Sequence, residues 1–140
     1  MKYFTIIILT LFLIAGCGQQ KSTEINPTAL LDLHNQERIK NNLEPLKLDD
    51  FLGEYAINHS EWMAKKNILQ HSNISNLLGR YKTVGENIAW NQPNEKSVHN
   101  AWMNSRPHRA NILNAKFKLI GFGMKTNSKG QPYWCAVFGS

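Results

Sequence analysis

The chain has 140 residues, 42% of them apolar and 19% charged, and 16 Lys/Arg against 10 Asp/Glu give a formal charge of +6. That length fits one domain with a single sizeable core. The basic balance favours anionic surfaces such as lipid headgroups or cell-wall polymers. It does not favour nucleic acid, because no run of five or more Lys/Arg occurs and the aromatics fall in apolar contexts.

Lys2 opens the sequence, and Tyr3 to Ile14 form an apolar run broken only by Thr5 and Thr10. A bilayer span takes roughly 20 apolar residues, so this shorter run reads as the core of an export signal. Leu13-Ile14-Ala15-Gly16-Cys17 resembles the lipobox of bacterial lipoproteins. The resemblance implies cleavage before Cys17 and acylation of its thiol, with residues 1–16 as signal peptide, 17–26 as lipidated cysteine and tether, and 27–140 as the folded domain. Two or three acyl chains suffice for stable anchoring where one does not. Membrane lipid is therefore an expected partner, and the expected location is the cell membrane or outer membrane, on the extracytoplasmic side. Removing residues 1–16 takes away only Lys2 among the charged groups and leaves +5. With Cys17 acylated, Cys135 has no disulfide partner, and the core must hold the domain unaided. The expected state is a monomer.

The first helix is marked by Asn26 as cap and Pro27 at the first helical position, where a missing N–H costs nothing. Leu30, Leu33 and His34 recur at helical spacing, and the pattern runs to about Asn41. After the Pro45 link, Asp49 or Asp50 caps a second helix whose apolar stripe is Leu52, Tyr55, Ala56, His59 and Met63. His34 and His59 both lie on core-facing stripes and read as hydrogen-bonded core histidines. Asn67 to Val84 is loop-like, rich in Ser, Asn and Gly, and Leu77-Leu78 suits a docked turn of helix. Ile88 to Trp90 reads as a short strand or bend. A third helix over Glu95–Asn104 follows the stop and cap signals Pro93 and Asn94. Ser105-Arg106-Pro107 ends it ahead of His108, since proline disfavours a helical residue before it. The tail predicts a hairpin, Phe117–Thr126 and Pro132–Phe138, joined by Asn127-Ser128-Lys129-Gly130. Gly121 and Gly123 leave room on one face of it for bulky neighbours such as Trp134 or a helix layer.

Seven short motifs occur in order: His34-Asn35-x-x-Arg38, Met63-Ala64, His71-Ser72, Gly85-Glu86-Asn87-Ile88-Ala89, Trp102-Met103-Asn104-Ser105, His108-Arg109-x-Asn111-Ile112-Leu113 and Ile120-Gly121-x-Gly123. Together they resemble the CAP superfamily, which comprises cysteine-rich secretory proteins, antigen 5 and plant pathogenesis-related proteins, and in particular its bacterial SCP-like branch. The resemblance covers about residues 28–139. It implies an α+β fold, a three-layer α-β-α sandwich with a small, mainly antiparallel sheet between helices. That agrees with the helix, helix, loop, helix, hairpin order read from the residues.

In the eukaryotic members a central cleft carries two histidines and two acids that hold a divalent metal. By resemblance, His71 and His108 match the histidines and Glu86 the first acid, while Ser105 stands where the second acid belongs. Two imidazoles and one carboxylate make a three-ligand zinc set with an open position. Ser105 is a poor substitute for a carboxylate as ligand or as orienting partner. The ligand cleft expected is therefore His71, Glu86 and His108 with Ser105 and Asn87, and zinc is the expected ion. A purely structural reading stands beside it, in which Glu86 pins the 72–84 loop through hydrogen bonds. No catalytic residue is assigned, because Cys135 lies in an apolar strand where a thiol behaves as a small hydrophobe. The function expected is a lipid-anchored binding or interaction module for a host or cell-envelope ligand. The alternatives are a metal-dependent hydrolase of peptides or cell-wall material and a lipid or sterol carrier using Ile74, Leu77 and Leu78. His99 is expected on the exposed side of its helix.

Overall fold

The computed structural model describes residues 24–140. The expected signal peptide, residues 1–16, and Cys17 lie outside the described residues. Helix α1, Pro27–Lys40, is capped by Asn26, whose side chain accepts the Ala29 N–H, and helix α2, Asp50–Lys66, by Asp49, which accepts from Leu52 N. Both caps quench N–H groups that a helix start leaves unsatisfied. Helix α3 is Glu95–Asn104, capped by Asn94. The strands are β1 Lys47–Leu48, β2 Val84–Trp90, β3 Leu119–Thr126 and β4 Pro132–Gly139.

The sheet order is β1-β3-β4-β2, with β1 parallel to β3 and the other pairs antiparallel. Alternation along β4 sorts its side chains into two cores. Trp134, Ala136 and Phe138 join Leu30, Val98, Trp102 and Ile112 on the side of α1 and α3, while Tyr133, Cys135 and Val137 join Leu52, Ala56 and Met63 of α2. The α+β, three-layer arrangement expected is the one observed. Gly121 and Gly123 accommodate the helix layer: a Cβ at either would run into the α2 backbone at Leu52–Gly53 or Ala56–Ile57.

Several elements depart from expectation. Strand β1 is only two residues long and leaves no periodic trace. Strand β2 begins four residues before Ile88. The helix break at Ser105 is real, yet Pro107 sits in the first turn of a further helix, α4, Arg106–Ile112. A proline there lacks an N–H that the turn does not need, so it starts a helix as well as stopping one. The Leu77-Leu78 pair does dock a turn, a 3₁₀ segment Ile74–Leu77. Leu77 is buried in the α2-side core with Ile74 packed against that core, and only Leu78 faces outward.

Arg38 is fully buried on α1 and donates to four backbone carbonyls, those of Glu44, Ile112, Asn114 and Phe117, at 2.8–3.1 Å. The guanidinium fork thereby ties the end of α1 to the end of α4 and the entry to β3. Burial lowers its pKa from the usual arginine value, and the carbonyl dipoles stand in for a counter-ion.

His99 is buried, not exposed. It lies under α1, with its Nδ1 3.2 Å from Nδ1 of His34. His34 Nδ1 is also 2.9 Å from the Leu30 carbonyl. A carbonyl only accepts, so Nδ1 of His34 carries the proton and is shared between Leu30 O and the His99 lone pair. His34 Nε2 is left buried without a hydrogen-bond partner.

A candidate ligand cleft at the edge of the sheet

Strand β2 forms one edge of the sheet, and its consecutive residues Glu86 and Asn87 face opposite layers. Glu86 is buried on the α2 side. Its Oε1 accepts from His71 Nδ1 at 2.7 Å and from Ser72 N at 3.0 Å. Its Oε2 accepts from Ser72 Oγ and, at 3.7 Å, from Cys135 Sγ. His59 Nε2 stands 4.0 Å from Oε2 and bonds the Gln70 carbonyl at 2.8 Å. Four donors and a nearby imidazole thus offset the cost of burying this carboxylate. Tyr55 steadies the same segment by donating to Ser72 Oγ and the Asn73 carbonyl.

Asn87, on the other side, donates to the His108 carbonyl at 3.0 Å and accepts from Asn111 Nδ2 at 2.8 Å. Asn111 Nδ2 also donates to the Glu86 carbonyl at 3.1 Å. Helix α4 is therefore fastened to the β2 edge, and His108 comes near enough to His71 for their charges to interact. Burial first, and that interaction second, hold the His108 pKa below its ordinary value. Ser105, shared between the end of α3 and the start of α4, makes no capping bond with its side chain.

The structure brings together His71, Glu86 and His108 along one edge, with Asn87 beneath the α4 side. They do not play equal parts. Glu86 is turned inward and engaged at both oxygens, while the His71 side chain is 60% exposed. With Nδ1 bonded to the carboxylate, the remaining ring nitrogen of His71 is the one open to a ligand. Among the described residues no group of three His, Cys, Asp or Glu side chains is placed to hold a metal ion. Glu86 spends both oxygens on protein donors, so the residues do not fit the three-ligand zinc set. Among these residues no activated nucleophile is present: the Cys135 thiol is pushed well above its ordinary pKa by burial and by Glu86, and the Ser72 hydroxyl is held by the carboxylate.

Two contributors were missed from the sequence. His59 faces this network instead of the core interior, and its ring stacks on Trp62 at 5.7 Å and 12°. Ser72 supplies both a backbone and a hydroxyl donor to Glu86. Its place next to His71 was the available signal, since adjacent donors on a loop can close on one carboxylate.

The profile of the cysteine-rich secretory protein family, CAP, matches residues 31–138. The chain belongs to the CAP family. This CAP domain is 40% identical over 103 residues to the uncharacterized protein YkwD of Bacillus subtilis, a match covering 67% of the chain and 40% of that protein. Among solved structures it resembles an extracellular SCP-domain protein of Bacillus anthracis, with a TM-score of 0.69 and 28% identity over 81% of the chain and 39% of that one. It also shares its fold with an outer surface protein of Borrelia burgdorferi, at a TM-score of 0.73 and 21% identity, covering 81% and 90% of the two chains. The chain spans about two-fifths of the length of the two Bacillus relatives.

Proposed function

We propose that this CAP domain is an extracytoplasmic, lipid-tethered binding module that captures a small polar ligand of the cell envelope between His71 and His108. The observation that carries the reading is the division of labour in the cleft. A buried carboxylate engaged at both oxygens fixes one imidazole, which is itself exposed, and a second imidazole of lowered pKa lies near it. An imidazole ring nitrogen can pair with hydroxyl and amide groups of such a ligand. The lipobox-like Leu13–Cys17 segment supports the tether, and the extracellular SCP-domain relative supports the location. Glu86 fits a positioning role better than that of a base, because its oxygens face protein donors.

The test is imidazole nitrogen NMR of the chain from residue 18, titrated with soluble muropeptides and, separately, with zinc chloride. Muropeptides should shift the His71 and His108 resonances, leave those of His34 and His99 in place, and lose their effect in a His71→Ala/His108→Ala variant. If neither titrant moves either cleft imidazole, the binding reading fails. A response to zinc alone would make a metal ion the ligand. Cleaved muropeptide appearing above the level of the double variant would replace binding with hydrolysis.

A further inference from the structure

The register of the sheet gathers one set of exposed residues at a single end of the molecule. Thr126 pairs with Pro132, and Trp90 with Tyr133, so the end of β2 lies level with the β3–β4 turn. Helix α2 runs alongside β3 in the same direction, Gly121 meeting Leu52–Gly53 and Gly123 meeting Ala56–Ile57. Its last turn therefore reaches the same end, where Asn127 Nδ2 donates to Asn67 Oδ1 at 2.7 Å. The chain enters there too: Asn91 N bonds the Pro132 carbonyl, α3 starts four residues later, and Asn26 N bonds Glu95 Oε1 at 2.7 Å.

This end is both apolar and basic. Trp62, Ile68, Leu69 and Trp90 are 40%, 47%, 50% and 43% exposed, although residues of this size are usually covered. Around them lie Lys65, Lys66, Lys125 and Lys129, with two acids at this end, Glu61 paired to Lys65 and Glu95 at the start of α3 bonded to Asn26 N. Exposed tryptophan, leucine and isoleucine ringed by lysine is the composition that settles at a headgroup boundary, the indoles at the interface and the ammonium groups on anionic lipid.

We infer that this end, presenting Trp62, Ile68, Leu69 and Trp90 among Lys65, Lys66, Lys125 and Lys129, docks on an anionic bilayer surface. The inference rests on the tethered reading above, which also supplies its geometry. Nine residues, 18–26, separate Cys17 from Pro27. Fully extended they reach about 30 Å, so an anchored domain cannot leave the bilayer by more than that. The end that receives the tether is the end that carries the apolar and basic residues. Docking sets the cleft close above the headgroups, since Glu86 precedes Trp90 by four strand residues, about 13 Å.

Every helix and strand among the described residues lies within 27–139, so the chain from residue 18 retains that whole fold and lacks only the anchor. That chain is sedimented with vesicles of phosphatidylcholine alone and of phosphatidylcholine mixed with phosphatidylglycerol. Binding should require phosphatidylglycerol, weaken in high salt, and fall by about tenfold or more in Lys66→Glu/Lys129→Glu and in Trp62→Ala/Trp90→Ala. Brominated acyl chains should quench the tryptophan emission of the wild type and not that of the latter variant, because Trp102 and Trp134 are only 1% exposed. Absence of binding, or binding that neither double variant alters, overturns the docking face. The anchor is read separately: Cys17→Ser should release the full chain from the membrane fraction, and failure there would defeat the tether while leaving the vesicle result to stand.

Discussion

Two pairs of histidines sit on this scaffold, and their surroundings give them opposite characters. His34 and His99 face each other between α1 and α3, buried among Trp102 and Phe122, with no carboxylate among the described residues hydrogen-bonded to either ring. His71 and His108 stand at the sheet edge, one of them clasped by Glu86 and exposed to water. Burial disfavours charge on both members of the first pair. A proton arriving on His34 would have to settle on Nε2, which has no acceptor, beside Arg38 and His99. Burial is the leading cause that brings its pKa down to about 3, followed by His99. His99 is lowered as well, chiefly by burial, with Glu37 opposing and Lys40 adding to the effect. An imidazole without an acceptor for its second nitrogen belongs to the core, whereas one with a carboxylate behind it and water in front can meet a ligand.

Acid should break the comparison most strongly. The folded pKa of His34 lies below its unfolded value of 6.5, so the stability it contributes is fully present above pH 6.5. That stability is lost as pH falls from there toward about 3, where the unfolded chain holds the extra proton. Between pH 7 and pH 4.5 this one group should remove about 2–3 kcal/mol. Urea unfolding at a series of pH values should show that slope, and His34→Phe should flatten much of it. A profile equally steep in the variant would assign the acid sensitivity elsewhere.

The cleft should respond to substitution in an unequal way. Glu86→Gln leaves the shape intact but disturbs a buried set of donors, and about 1–3 kcal/mol of stability should be lost. His71→Ala removes an exposed partner of the same bond and should cost less than about 1 kcal/mol. Thermal denaturation of both variants checks the ranking, and equal losses would mean that His71 is as structural as Glu86. The smallest effect is a titration midpoint. Proton NMR should place His108 below an ordinary histidine, because burial and His71 both oppose its charge, and the midpoint should rise toward the ordinary value in His71→Ala as the smaller of the two causes is removed.

Local signals carried much of this fold. Asn26, Asp49 and Asn94 are caps that the sequence advertises, and the hairpin announces itself through its turn. What stayed hidden depends on a second element. The stripe on α3 identifies Val98 and Trp102 as its inner face, but only the arrival of α1 covers His99. Strand β2 lacks alternation because Glu86 and Asn87 are adjacent polar residues with partners in opposite layers, so period-two patterning fails where the site is. Pro107 was ambiguous by nature, since the residue that stops one helix suits the first turn of the next. The cleft residues were legible as a set through the family motifs, yet their inequality was not, because which carboxylate oxygen faces which donor is decided by the loop carrying Ser72.

Strand β2 also lies at the rim of the sheet, where unpaired backbone groups invite another strand. Its carbonyls at Glu86 and Ile88, on alternate residues and hence on one side, are taken by Asn111 Nδ2 and Trp102 Nε1. The opposite rim, β1, is two residues long. On the β2 margin these side-chain bonds leave a neighbour fewer free carbonyls with which to extend the ladder. On that margin this is protection against edge-to-edge assembly, provided in part by the same asparagine that fastens α4 to β2.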